Sequence, residues 1–104
     1  MLNVIGSVAR PDDPEVSLAT WREVIEALDL HPIESCEVVN PFTGEPTTLD
    51  NSLELAAAMI DGRRVGVVRW CSRSEGLDIF GEPETMTPLA EALAARIGGE
   101  FTPL

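Results

Sequence analysis

The pair Asp61-Gly62 constrains the fold more than any other local feature of the chain, because it separates two runs of apolar residues. Asp-Gly suits the centre of a two-residue β-hairpin turn, where both residues adopt positive φ angles. We therefore predict that residues 53–60 and 63–71 form paired antiparallel strands. Three consecutive alanines, residues 56–58, favour helix over strand, so a helix over residues 52–60 remains the alternative.

A helix start is predicted at Ser17, a residue type that caps helix N-termini. Val16 and Trp21 occupy the two positions whose side chains commonly pack together across such a cap. Apolar side chains then recur at helical spacing on one face. These residues are Leu18, Trp21, Val24, Ile25 and Leu28. The pattern predicts a helix over residues 18–29.

A second helix is expected near the C-terminal end. Thr87 is a suitable N-cap, and Pro88 would then stand at the first helical position, which proline favours. Apolar residues recur every four positions up to Ile97, and Gly98 is a typical residue to end a helix. We predict a helix that begins at Pro88 and ends at Ile97.

The remaining apolar or β-branched segments predict short strands over residues 2–9, 33–40, 77–80 and 100–102, with a long loop at residues 40–51. The element order is then β-α-β-β-β-β-α-β. Adjacent strands with two helices predict an α+β fold, with an antiparallel sheet of about five to six strands and both helices packed on one face. With 104 residues, the chain fits one domain spanning residues 1–104.

The charge balance is the most unusual feature of the composition. Eighteen acidic residues oppose seven basic ones, all arginine, so the formal net charge is −11. Such a surface repels phosphate backbones and anionic membranes, so we expect neither nucleic acid nor membrane as a partner. Solubility is one explanation of the charge, and electrostatic complementarity to a basic protein is the other.

Nothing in the sequence predicts export. The first residues lack the basic start and apolar run of a signal peptide, and no apolar run approaches the roughly 20 residues of a membrane span. We therefore expect a cytoplasmic protein. In that compartment Cys36 and Cys71 are expected to be buried thiols rather than a disulfide.

No motif for catalysis or for metal and cofactor binding is present. The single histidine, His31, precedes a proline, and no Gly-x-Ser-x-Gly motif accompanies it. Cysteine and histidine are not clustered as zinc sites require, and glycine-rich phosphate loops are absent. The sequence therefore predicts a protein that is not an enzyme and binds no cofactor or metal. An enzyme that uses carboxylates alone remains a third hypothesis.

Three groups of residues could bind a protein partner. Trp70 could be an exposed anchor or a core residue. The loop at residues 40–51 could be functional or a plain connector. Acidic residues around the predicted strand 77–80 could meet a basic partner or form a solvated face. The candidate partner-binding residues are Phe42, Glu45, Asp50, Glu54, Trp70, Arg73, Glu75, Asp78, Glu82 and Glu84.

The chain resembles small bacterial immunity-type proteins, which neutralise cognate toxins. The resemblance is carried by residues 39–46, the Asp61-Gly62 hairpin, Arg69-Trp70, the strand 77–80 and the alanine- and leucine-rich last helix. It implies an inhibitor that binds a toxin domain encoded beside it, in the cytoplasm of the producing cell. It implies no catalytic residues.

Two hypotheses of a binding function precede that third, enzymatic one. The first is an immunity protein that docks an acidic surface on a basic toxin domain. The alternative is a self-associating adaptor or chaperone-like module without a toxin partner, which would form a homodimer through an exposed edge strand.

Overall fold

A computed structural model describes residues 2–11, 16–40, 42–50, 54–70 and 76–104. It confirms the α+β class. The strands are β1 (Leu2–Ala9), β2 (His31–Pro32), β3 (Cys36–Val39), β4 (Pro46–Leu49), β5 (Leu55–Ile60), β6 (Arg63–Trp70), β7 (Leu77–Gly81) and β8 (Glu100–Pro103), and the helices are α1 (Leu18–Ala27) and α2 (Pro83–Ile97). Neither described helix is long and apolar enough to cross a membrane.

The strands form one curled sheet in the order β2-β5-β6-β7-β1-β3-β4, with β8 also paired to β1. The described sheet thus has eight strands, more than the five to six predicted. It is also not purely antiparallel, because β1 and β3 run parallel, with Leu2 opposite Val38 and Asn3 opposite Val39. The start of β1 pairs with β3 and its end pairs with β8, so the sheet divides along this strand.

The hairpin predicted at Asp61-Gly62 is confirmed. Strands β5 and β6 are antiparallel, with Ile60 opposite Arg63, and the two turn residues have φ angles of 51° and 76°. Positive φ at both positions is the two-residue turn that suits the twist of a hairpin. The helical alternative is wrong, because residues 55–60 form a strand. Its three alanines are buried, and Ala56 and Ala58 belong to the same core as side chains of both helices.

The first helix begins where the sequence predicts. The Ser17 side chain accepts a hydrogen bond from the backbone N–H of Thr20 at 3.2 Å, and Trp21 and Val24 are buried. The helix ends at Ala27 rather than at residue 29, because Asp29 adopts a left-handed φ of 52°.

The predicted start of the second helix is wrong. Helix α2 begins at Pro83 with Glu82 as its N-cap, and Pro88 lies inside it. An internal proline cannot donate the usual helical hydrogen bond. The first turn is nevertheless held in place because Met86 is fully buried and packs where Gly66 leaves space. The helix ends at Ile97, as predicted, and Gly98 caps it with a left-handed φ of 72°.

The middle of the chain differs most from the prediction. The strand expected over residues 33–40 is shorter, because only β3 (Cys36–Val39) lies within that range, and the short strand β2 (His31–Pro32) precedes it. The loop expected over residues 40–51 contains β4. Strand β4 pairs antiparallel with β3, with Leu49 opposite Cys36, so the two form a second hairpin, here called the β3–β4 hairpin. The strands predicted at 77–80 and 100–102 are confirmed, each one residue longer.

The two faces of the sheet are covered differently. Side chains from both helices pack with one face in a helix-side core that includes Val8, Trp21, Val68, Ile79 and Met86. No described helix residue belongs to the hairpin-side core on the other face. That smaller core consists of Cys36, Val38, Leu55, Val67 and Phe80, with Leu2, Val4, Ile33 and Leu49 packed against it.

Candidate binding groove

An open groove lies on the hairpin side of the sheet, between the β3–β4 hairpin and strands β1, β6 and β7. Its volume is about 360 Å³, within the range of roughly 300–1,000 Å³ typical of ligand pockets. We call it the hairpin groove. Its lining residues are Val4, Val38, Asn40, Phe42, Thr47, Leu49, Arg69, Asp78, Phe80 and Leu104.

Strand alternation places these side chains together. Successive residues of a strand point to opposite faces, so Asp78 and Phe80 share one face of β7 while Leu77 and Ile79 enter the helix-side core. Arg69 of β6 lies directly opposite Asp78 in the strand register. The groove is therefore a product of the same alternation that builds the core on the other face.

Phe42 is the most exposed large apolar residue in the described part of the chain. Its side chain is 94% exposed, although it lines the rim of the groove. The turn that carries it is ordered by Asn40, whose side-chain oxygen accepts a hydrogen bond from the Phe42 N–H at 2.8 Å. The Asn40 carbonyl also accepts one from the Gly44 N–H at 2.8 Å. The aromatic ring is thus presented to solvent by a hydrogen-bonded turn.

Arg69 and Asp78 form an ion pair inside the groove. The distance from Arg69 Nη1 to Asp78 Oδ2 is 3.6 Å, longer than a hydrogen bond. Both side chains are about one third exposed, at 33% and 37%. Burial raises the pKa of the Asp78 carboxyl above its ordinary value, and the Arg69 guanidinium offsets only part of that rise. Asp78 is therefore a carboxylate that is partly removed from water and incompletely paired.

A second cavity continues the groove. It is lined by Thr48, Leu49, Asp50, Glu54, Leu55 and Arg69, and it shares Leu49 and Arg69 with the hairpin groove. Of the residues that line the two cavities, three are carboxylates (Asp50, Glu54 and Asp78) and Arg69 is the one described guanidinium. The described lining therefore carries an excess of negative charge.

The structure brings together four of the predicted partner-binding residues: Phe42, Asp50, Glu54 and Asp78 line the joined cavities. Glu45 is exposed immediately before β4. Glu82 and Glu84 are exposed at the start of α2 and line neither cavity. Arg73 and Glu75 lie outside the described residues.

Trp70 belongs to the helix-side core. It is 8% exposed, and its indole Nε1–H donates a hydrogen bond to the Val16 carbonyl at 2.6 Å. Of its two interpretations, the structure therefore shows the core residue and not an exposed anchor. The neighbouring Arg69 is not among the predicted candidates, although strand alternation before a buried Trp70 could have placed it on the opposite face.

The described residues with reactive side chains are scattered. They contain no group of three or more His, Cys, Asp or Glu residues that could hold a metal ion. His31 is exposed on β2. Cys36 is a buried free thiol whose pKa is raised by burial and lowered only in part by Arg64. A raised pKa keeps a thiol protonated and weakly nucleophilic. Cys71 lies outside the described residues.

Comparison of the chain with models of protein families, with curated proteins and with solved structures found no match. The hairpin groove is therefore the feature of the molecule that bears on its function. This groove combines an apolar wall, an exposed aromatic ring and carboxylates in excess of cations.

Proposed function

We propose that this protein is a non-enzymatic cytoplasmic inhibitor of the immunity class, which binds a basic toxin domain through the hairpin groove and its acidic rim. The observation that carries the proposal is the coincidence of an apolar groove, an exposed Phe42 and excess carboxylates. The rest of the chain has the same charge sign, since its net charge is −11.

The charge favours a basic partner. Enzyme domains that act on nucleic acids contact phosphates with lysine and arginine, so their clefts are positively charged. An acidic protein is steered towards such a cleft at long range, which raises the association rate more than the affinity. Covering the cleft would deny the substrate access. Inhibition by this route needs no catalytic residue in the inhibitor.

The groove supplies the contacts that charge alone does not. Interface affinity is concentrated in a few aromatic or arginine anchors at the centre of the contact. Phe42 is such an anchor, because its ring is exposed beside an apolar wall that includes Val38 and Phe80. Glu45 and Asp50 flank β4 at its two ends and provide an acidic rim to this contact.

Pairing between two copies of this chain has less support. The Asn40 N–H donates to the Glu45 carbonyl across the β3–β4 turn. Because hydrogen-bonded pairs alternate along an antiparallel ladder, Pro46 and Thr48 direct their backbone groups to the outer edge of β4. Proline has no N–H to donate there, a common protection of edge strands. Two acidic surfaces would also repel each other.

Co-expression with the toxin domain encoded beside this protein tests the proposal. The domain alone should arrest growth of a bacterial host, and the native protein should restore it. A Phe42→Ala/Asp50→Lys variant should restore growth poorly, because it loses the anchor and reverses a rim charge.

The matched control is Glu26→Lys/Ala19→Ser, which makes one charge reversal and one small exposed change on α1, away from the groove. This control should protect as the native protein does. Equal protection by both variants would remove the groove from the mechanism. A neighbouring domain that is harmless alone, together with a stable dimer in light scattering, would refute the inhibitor and favour the self-associating module.

A further inference from the structure

We propose that the hairpin groove binds an arginine side chain of the partner, with the guanidinium beside Asp78 and an apolar neighbour of that arginine against Phe42. The inference rests on the proposed function for the source of the arginine. It concerns the chemistry that the groove recognises, and that chemistry can be tested without the toxin.

The wall of the groove selects a side chain with an apolar stem. Val4, Val38 and Leu49 line it from three different strands, and Phe80, 5% exposed, lies among them. The charged groups Arg69 and Asp78 lie on the neighbouring strands β6 and β7. Arginine and lysine pack their methylene stems against apolar surface while the charged end meets polar groups.

The charge of the groove favours a cation at the polar part. Arg69 is the only described guanidinium among the residues that line the two cavities, and the same lining includes the carboxylates of Asp78, Asp50 and Glu54. Its distance of 3.6 Å from Asp78 leaves the carboxylate oxygens able to accept hydrogen bonds from a ligand. When a partner covers the groove and excludes water, carboxylates in excess of the cations become unfavourable unless the partner brings a further cation.

Arginine fits better than lysine because its planar guanidinium can donate two parallel hydrogen bonds to one carboxylate. A lysine would make the ionic contact but lose the paired hydrogen bonds.

Titration of the full-length protein with a short peptide, followed by amide NMR shifts, tests this inference. The probe is acetyl-Leu-Arg-Leu-amide, and the matched probe replaces arginine with citrulline, which has the same shape without the charge. We expect saturable shifts at Val38, Thr47 and Phe80. We expect affinity about tenfold lower for the citrulline peptide, the factor that corresponds to one strong polar contact, and intermediate affinity for a lysine peptide.

Two variants locate the cation. Asp78→Asn should lower the affinity for the arginine peptide to that of the citrulline peptide, while leaving the citrulline affinity unchanged. Glu26→Gln on α1, which removes the same charge from an exposed position, should change neither. If Asp78→Asn alters the fold, Phe42→Ala provides the second test, because its exposed ring can be removed without disturbing the core. That variant should weaken binding of all three peptides.

Equal affinity for the arginine and citrulline peptides would overturn the inference, as would shifts spread over the acidic helix surfaces. The result is separable from the test of inhibition. A protein that prefers arginine but does not protect against the neighbouring toxin refutes the proposed function alone. A protein that protects but shows no arginine preference refutes only the recognition chemistry.

Discussion

The two faces of the sheet differ in how completely they are covered. On the helix side, α1 and α2 cover a continuous core in which Val8, Ile79 and Met86 have no exposed surface. On the hairpin side, the two-stranded β3–β4 hairpin covers a smaller core and leaves a groove that contains an ion pair. One face therefore mainly stabilises the fold, while the other keeps apolar and charged groups accessible.

The largest expected effect tests the helix side. Trp70→Ala should lower the free energy of unfolding by about 3–5 kcal/mol, the usual loss for a large aromatic residue removed from a core. The Val16 carbonyl would also lose the donor that now lies 2.6 Å away. Urea unfolding followed by the fluorescence of Trp21 measures the change.

Phe42→Ala is the matched truncation on the hairpin side. It should change the free energy of unfolding by no more than about 0.5 kcal/mol, because exposed side chains contribute little. If Trp70→Ala and Phe42→Ala lowered the free energy of unfolding by similar amounts, the helix side would not be the main source of stability.

An effect between those of Trp70→Ala and Phe42→Ala is expected where β7 meets α2. Gly81 has a φ of 137°, and a Cβ atom there would lie 2.6 Å from the Val65 carbonyl oxygen and 2.9 Å from Met86 Cγ. Gly81→Ala should therefore lower the free energy of unfolding by roughly 1–3 kcal/mol, through backbone strain and overpacking together. Thermal unfolding of this variant beside Gly44→Ala separates the causes. Gly44 also has positive φ, but a Cβ atom added there would meet nothing within 4 Å.

Both substitutions place a side chain on a backbone with positive φ, and only the one at Gly81 meets neighbouring atoms. Equal destabilisation by the two would attribute the effect to backbone conformation alone. A larger loss at Gly81 would sharpen the contrast between the tightly packed helix side and the open turn of the hairpin.

The smallest expected effect concerns the charge on Asp78. A carboxyl whose pKa is raised in the folded state binds its proton more readily there than in the unfolded chain. Its contribution therefore stabilises the fold at low pH and is lost as pH rises above the ordinary value of 3.8 and through the raised one. Asp78→Asn should flatten this dependence and raise the free energy of unfolding at pH 7 by a few tenths of a kcal/mol, about the size of other partly exposed charge effects.

Chemical unfolding of both proteins from pH 3 to pH 7 measures the difference, with Glu26→Gln as the exposed control. If Asp78→Asn lowers stability at pH 7 by more than about 1 kcal/mol, the ion pair with Arg69 outweighs the burial of the carboxylate. In that case Asp78 would stabilise the fold, and the hairpin side would contribute to stability as well as keeping charged groups accessible.

The elements that can be predicted from the sequence are those defined by local chemistry. The Asp61-Gly62 turn and the Ser17 cap each depend on a few adjacent residues, and the structure confirms both. The predicted start of α2 is wrong because burial of Met86 in the first turn outweighs the preference of Pro88 for the first helical position. Strand β4 is not predicted because its residues are mostly exposed and lack an apolar alternation.

The candidate site can be predicted only in its components. Phe42 and Asp78 are candidates for separate reasons, one as a loop aromatic and the other as a member of an acidic segment. Both residues line one groove because Leu2 pairs in parallel with Val38. This contact joins distant segments, and no local pattern specifies it. For Trp70 the sequence leaves two interpretations open, an exposed anchor or a core residue, and the structure shows the core residue.

The β3–β4 hairpin joins the rest of the sheet through a very short stretch of strand pairing, here called the seam. The described pairing between β1 and β3 consists of two residue pairs, Leu2 with Val38 and Asn3 with Val39. Segments held by few contacts open locally at a lower free energy than the whole molecule unfolds, so amide hydrogens of the β3–β4 hairpin should exchange faster than those of β5 and β6. The width of the groove then depends on the equilibrium between the closed and the locally opened β3–β4 hairpin. Mutations at the seam could alter which partners fit while the helix-side core continues to hold the fold.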